Sequence, residues 1–186
     1  MAPSGQAVRG CRDSTPPGML CGSTERMHRM AYYEVHRDGY RISCDPAGID
    51  VDAVHAFLSR SYWAEGIPRE LVAQSIEGSL CFGLFAAAQQ IGFARVITDR
   101  ATFGYLADVY VLESHRGRGL GRWLMQVLMA HPDLQRLRRF VLVTRDAHEL
   151  YRPFGFGPIQ HVERYMEITR PGMYRAAAGA AVQSSS

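Results

Sequence analysis

His115-Arg116-Gly117-Arg118-Gly119-Leu120-Gly121 joins a strand-like run, Tyr105 to Leu112, to the strongest helical pattern in the chain. That pattern places Leu120, Leu124, Val127 and Leu128 on one stripe at helical spacing, and Pro132 stops it. The glycines at 117, 119 and 121 remove Cβ atoms where backbone must approach a ligand, and the helix start adds outward N–H groups and the positive end of its dipole. These features describe an anion site. A pyrophosphate suits it, because several N–H donors and the guanidiniums of Arg116 and Arg118 can meet its oxygens at roughly 1.5–3 kcal/mol per charged hydrogen bond. The dinucleotide fingerprint G-x-G-x-x-G fails, since its third glycine would fall at Arg122. A tight strand-to-helix turn without a ligand remains the plain alternative.

Working outward, Leu80 to Ala86, Ile91 to Ile97 and Tyr105 to Leu112 read as three strands joined by short polar links, an antiparallel meander. Upstream, Tyr40 to Ser43 reads as the first strand. Ile49 to Tyr62 reads as a helix with Val51, Val54, Phe57 and Leu58 on one face, and a second helix opens at Pro68 with Leu71, Val72 and Ile76 inward. Downstream, the continuous apolar run Phe140 to Val143 predicts a strand covered on both faces and paired in parallel. Ala147 to Phe154 predicts a short helix, and Arg164 to Thr169 a closing strand. The order implies an α/β fold, a mixed sheet with helices on its faces. One domain over residues 38–170 is expected, between a flexible extension at 1–37 and a disordered tail at 171–186, both poor in periodic apolar residues.

All 21 basic residues are arginine. Without lysine there is no Walker phosphate loop and no Schiff base to pyridoxal phosphate. A net charge of +3 with acids interspersed gives no polyanion surface, so nucleic acid is not an expected partner. Cys11, Cys21, Cys44 and Cys81 form no C-x-x-C pair, which speaks against a disulfide framework or zinc site, and no metal is expected. No run approaches the roughly 18 apolar residues that cross a bilayer. The expectation is a cytoplasmic enzyme without a membrane partner; a homodimer is left open.

At these motifs the chain resembles the GNAT superfamily of N-acetyltransferases. The family's acetyl-CoA loop reads [Q/R]-x-x-G-x-[G/A], and Arg116 to Gly121 matches every specified position, with Val109-Tyr110-Val111 as the strand leading into it. A second match, Ala147 to Phe156, resembles the family's A-x-x-L-Y-x-x-x-G-F ending. The chain departs from the pattern at Glu113, where a proline is common, and at Thr144, where an asparagine is frequent.

The resemblance implies a mostly antiparallel sheet whose fourth and fifth strands are parallel and splay apart, with the pantetheine arm of acetyl-CoA between them. It further implies that main-chain groups of Val109, Tyr110 and Val111 bind the arm, that one N–H there polarises the thioester carbonyl, and that Arg116, Gly117, Arg118, Gly119, Leu120 and Gly121 bind the pyrophosphate. The acetyl group would pass directly to an amine. A primary amine has a pKa near 10.4 and must lose a proton before it attacks. Asp108, beside the splay, is the candidate base, or else caps a neighbouring loop. Tyr151 holds the family's position for the acid that protonates the departing thiolate; the alternative is a core aromatic with its hydroxyl hydrogen-bonded. Tyr62 to Pro68 reads either as the acceptor's wall, two aromatics and Glu65 holding a cationic amine, or as filler between helices. Arg95 either binds an acceptor carboxylate or faces solvent. A small-molecule amine is the expected acceptor, with a protein or peptide acceptor and a non-catalytic acetyl-CoA-binding module as alternatives.

Overall fold

The computed structural model describes residues 33–174. Its core is one six-stranded sheet in the order β1 (Glu34–Arg37), β2 (Tyr40–Ser43), β3 (Leu80–Ala86), β4 (Gln89–Thr98), β5 (Phe103–Val111) and β6 (Arg139–Leu142). Neighbours are antiparallel up to β5, and β6 pairs with β5 in parallel. Among the described residues four α-helices accompany the sheet: α1 (Val51–Leu58), α2 (Arg69–Glu77), α3 (Leu120–Met129) and α4 (His148–Tyr151).

The alternation of side chains across the strands divides the core in two. Leu80, Phe82, Leu84, Ala94 and Val96 pack on the α3 side with Leu120, Leu124, Met125 and Leu128. Cys81, Phe93 and Tyr110 pack on the other side with Val54 and Leu58 of α1 and Val72 and Ile76 of α2. Hence Leu80 to Phe85 of β3 are buried on both faces. The predicted stripe of α3 is buried as expected, with Trp123 and Met125 added to it. Each such side chain stabilises the fold by roughly 1.5–3 kcal/mol, so the sheet is held rigidly behind the loop that starts α3.

Four readings need correction. Tyr40–Ser43 is the second strand; Glu34–Arg37, inside the stretch read as a flexible extension, forms the first. Its signal was the turn between them: Asp38 at φ 50° and Gly39 at φ 78° form the two-residue Asp-Gly hairpin that the right-handed twist of strands favours. No strand forms over Arg164–Thr169; after a 3₁₀ turn at Val162–Arg164 the chain is irregular, and Met166 and Ile168 are 98% and 90% exposed. β6 is consequently an edge among the described residues, only partly buried, rather than covered on both faces. The helix expected over Ala147–Phe154 stops at Tyr151 and continues as a 3₁₀ turn through Phe154, because Pro153 cannot donate to a continuing α-helical ladder. Residues 1–32 and 175–186, the rest of the expected extension and most of the expected tail, lie outside the described residues, as do Cys11 and Cys21.

Candidate active site

The parallel pairing of β5 with β6 ends at Leu106 and Leu142, while β5 continues to Val111. The continuation has β4 on one side and no strand on the other. At that point the β4–β5 register gains one residue: Phe93 faces Tyr110 but Arg95 faces Ala107, so Asp108 and Val109 together oppose Ala94. This bulge forces Asp108 to φ 55°, a left-handed conformation that Asp tolerates better than most residues. Leu112 N–H donates to Ile91 C=O of β4. By alternation Tyr110 also faces β4, whereas the main-chain groups of Val109 and Val111 face the open side.

The glycine loop closes the upper end of the gap. Gly117 at φ 74° and Gly119 at φ 71° take the left-handed turn into α3 that a Cβ would resist. Gly119 is the N-cap and offers no side chain, and the first bonded helical N–H is Trp123 to Gly119 C=O. The N–H groups of Leu120, Gly121 and Arg122 therefore stay available at the positive end of the helix. Arg116 lies across the loop, its Nε donating to Val111 C=O at 3.1 Å. Arg118 reaches the β1–β2 hairpin, donating to the Tyr40 hydroxyl at 3.0 Å, and Tyr40 in turn meets His115 edge to face. Both guanidiniums keep further N–H groups. A diphosphate could be held here by backbone donors and two arginines.

Tyr151, at the end of α4, packs in the same core cluster as Val109 and Val111 of β5. It is 8% exposed and meets Phe156 edge to face. Burial, then the nearby Tyr62 and Asp146, push its hydroxyl up to about 12, so it stays protonated at neutral pH. Thr144 Oγ1 accepts from Ala147 N–H at 3.0 Å, so the threonine standing in the family's asparagine position still caps the turn into α4.

The stretch read as either an acceptor wall or filler between helices leaves its two aromatics partly at the surface. Tyr62 and Trp63 are 50% and 42% exposed and pack edge to face at 4.9 Å. With Glu65 and Ile168 to Tyr174 they line a cleft of about 720 Å³. The irregular C-terminal segment thus borders this cleft, a role no sequence pattern announced. Arg145 caps one face of the Tyr62 ring at 3.9 Å. Asp108 and Arg95 are not separate, as the sequence reading had them: Arg95 Nε donates to Asp108 Oδ2 at 2.8 Å, and Trp63 Nε1 donates to Asp108 Oδ1 at 3.0 Å. Arg95 therefore does not face solvent. Burial pushes the thiols of Cys44 and Cys81 up to about 12, so neither is a thiolate at neutral pH.

A bulged strand that parts from its parallel neighbour beside a glycine-loop helix start is the arrangement that the resemblance to N-acetyltransferases implies. Comparison with known proteins agrees. A family model described as an acetyltransferase (GNAT) domain matches residues 77–158. A Gibberella zeae protein that carries an acetyltransferase name is 38% identical over 136 residues, covering 62% of this chain and 77% of that protein. A Xanthomonas campestris crystal structure described as GNAT family superposes with a TM-score of 0.72 at 48% identity, covering 75% of this chain and 99% of the other. An Elizabethkingia anophelis GNAT acetyltransferase solved with acetyl-CoA shares the fold at TM-score 0.53 and 17% identity, covering 73% and 92%. The chain belongs to the GNAT acetyltransferase family.

Proposed function

We propose that the protein transfers the acetyl group of acetyl-CoA directly to a primary amine of a small molecule. What supports this reading is Tyr151, a buried side chain that packs in the same core cluster as Val109 and Val111 of β5 and whose hydroxyl stays protonated at neutral pH. Acetyl-CoA would lie with its pyrophosphate on Leu120, Gly121 and Arg122 N–H, with Arg116 and Arg118 beside it, and its pantetheine arm against Val109 and Val111. An N–H on this open side, Val109 the first choice, would donate to the thioester oxygen as it gains charge. Amine that has already lost its proton to water attacks the carbonyl carbon, the tetrahedral adduct gives its extra N–H proton to water, and collapse breaks the C–S bond to leave amide and thiolate. Tyr151 donates a hydrogen bond to the departing sulfur. A free thiol titrates near 8.5, well below this tyrosine, so full proton transfer is uphill and the hydroxyl acts mainly by stabilising developing charge. The cleft of about 720 Å³ with its aromatic wall suits a small acceptor better than an extended peptide. The test is a panel of small amines and lysine peptides assayed for acetyl-CoA-dependent thiol release, with acetylated product detected by mass. Turnover confined to peptides would replace the small-molecule reading.

A further inference from the structure

We propose that Asp108 is a positioning residue that locks the Trp63 indole as one wall of the acceptor site, and that it does not take the amine's proton. The proposal rests on the acceptor reading above. Both carboxylate oxygens are engaged, Oδ1 by Trp63 Nε1 at 3.0 Å and Oδ2 by Arg95 Nε at 2.8 Å. The carboxylate is 9% exposed and the guanidinium 14%. Arg95 is itself anchored, its guanidinium donating to Ser79 Oγ at 3.2 Å. One network thus ties four places together: the loop after α1 through Trp63, the start of β3 through Ser79, β4 through Arg95, and the bulge of β5 through Asp108.

The conformations fit a lock better than a base. Asp108 makes its bond to the indole from the bulge, at φ 55°, a strained backbone that persists where neighbours over-determine it. A proton acceptor needs a lone pair directed at the incoming amine, whereas here each carboxylate oxygen already accepts a hydrogen bond and the group is only 9% exposed, which leaves little access to the remaining lone pairs. The indole, 42% exposed, is held by its nitrogen and rests edge-on against Tyr62. The device couples the opening of the sheet to the shape of the cleft: the kink that frees the main chain of β5 also sets the acceptor wall.

The test compares Asp108→Asn, Asp108→Ala and Trp63→Phe. Asparagine tolerates the left-handed backbone and can still accept from the indole, but it cannot serve as a base. Loss of a base costs about 10²–10⁴-fold in kcat; the proposal expects Asp108→Asn to lose less than about fivefold in kcat and to keep the alkaline limb of its pH profile. Asp108→Ala and Trp63→Phe should each raise acceptor KM by about tenfold, the scale of one charged hydrogen bond, and the double variant should be no worse than either alone. A readout that needs no acceptor is tryptophan fluorescence. With Trp63 and the buried Trp123 as the two indoles of the chain, the emission lost in Trp63→Phe isolates the Trp63 signal. Asp108→Ala should shift that signal to the red and increase acrylamide quenching, with Asp108→Asn in between. Unchanged emission in Asp108→Ala, or loss of about 10²-fold or more in kcat with unchanged KM in Asp108→Asn, overturns the proposal. Calorimetry keeps the two readings apart: failure of wild-type protein to bind acetyl-CoA would sink the functional reading while leaving the fluorescence outcome to decide this one.

Discussion

Arg116 Nε donates to the carbonyl of Val111 across 3.1 Å, so the residue that opens the glycine loop also fixes the last residue of β5. The loop and the strand beside which the pantetheine arm is proposed to lie are therefore one mechanical unit. Arg116→Ala removes both the guanidinium and this tie. It should weaken acetyl-CoA binding by about 10-fold or more, since charged hydrogen bonds contribute roughly 1.5–3 kcal/mol each. Arg116→Lys should recover less than half of that free energy, because an ammonium cannot present the planar fork. Equal affinity in the alanine variant, measured by calorimetry, would show that Arg116 serves the fold alone.

Tyr151→Phe keeps the ring among Phe156 and its other core neighbours and deletes only the hydroxyl. Its turnover should fall by about 10²-fold, the low end for a positioned acid because of the high pKa of the donor. Acetyl-CoA affinity should change little. If single-turnover acetylation proceeds at the wild-type rate, the thiolate leaves without help from this residue.

The hairpin of β1 and β2 gives a prediction that departs from the composition-based reading of residues 1–37. Truncation to a start at Asp38 deletes β1, exposes the edge of β2 and removes the Arg37 guanidinium that lies 4.6 Å over the Trp123 ring. Melting should drop by several degrees, as expected for a loss of about 1–2 kcal/mol in a domain of this size. A start at Tyr33 should retain the pairing, and equal melting curves for the two truncations would contradict the role given to β1.

These outcomes also mark what a sequence can disclose. Leu120 to Leu128 and the Arg116 to Gly121 loop were legible because helical spacing and glycine placement are local rules written in adjacent residues. β1 was missed because a four-residue edge strand with one inward apolar residue, Val35, has almost no pattern, and its signal was the Asp38-Gly39 turn instead. The alternating residues of Arg164–Thr169 suggested a strand, but pairing is a tertiary event and no partner edge takes them up among the described residues. Asp108 illustrates the same limit at the site. Nothing adjacent to it in sequence reveals that Arg95, on the neighbouring strand, and Trp63, 45 residues away, meet its two oxygens.

His131 supplies a pH test of the core beneath α3. Burial lowers its pKa, and its Nδ1 accepts from Asp133 N–H, which requires the neutral ring. A folded pKa below the unfolded value of about 6.5 means that the unfolded chain binds the extra proton first. Stability from this residue is therefore complete above about pH 6.5 and is lost as pH falls toward the lowered folded value. His131→Asn can still cap the turn through its side-chain oxygen but does not titrate. Its melting temperature should vary less than that of wild type between about pH 7.5 and 5.5; parallel curves would remove His131 as the source.

The central claim is that acetyl-CoA binds with its pyrophosphate on the glycine loop and its arm in the gap beside β5. A side chain at Gly119 would strain the φ 71° backbone by itself, so the sharper probe is Gly121, which lies within α3, where any residue adopts the backbone. A Cβ there would meet Leu150 at 3.9 Å and Val111 at 4.0 Å, ordinary contacts that the fold accepts, on the flank of the gap. Calorimetric titration of acetyl-CoA into wild type and Gly121→Val, with melting curves for both, decides the matter. The account predicts saturable one-to-one binding to wild type and at least about a tenfold weaker affinity in a variant that melts normally, the scale of one lost charged hydrogen bond. Undiminished affinity in a folded Gly121→Val, or no binding to wild type, would contradict it.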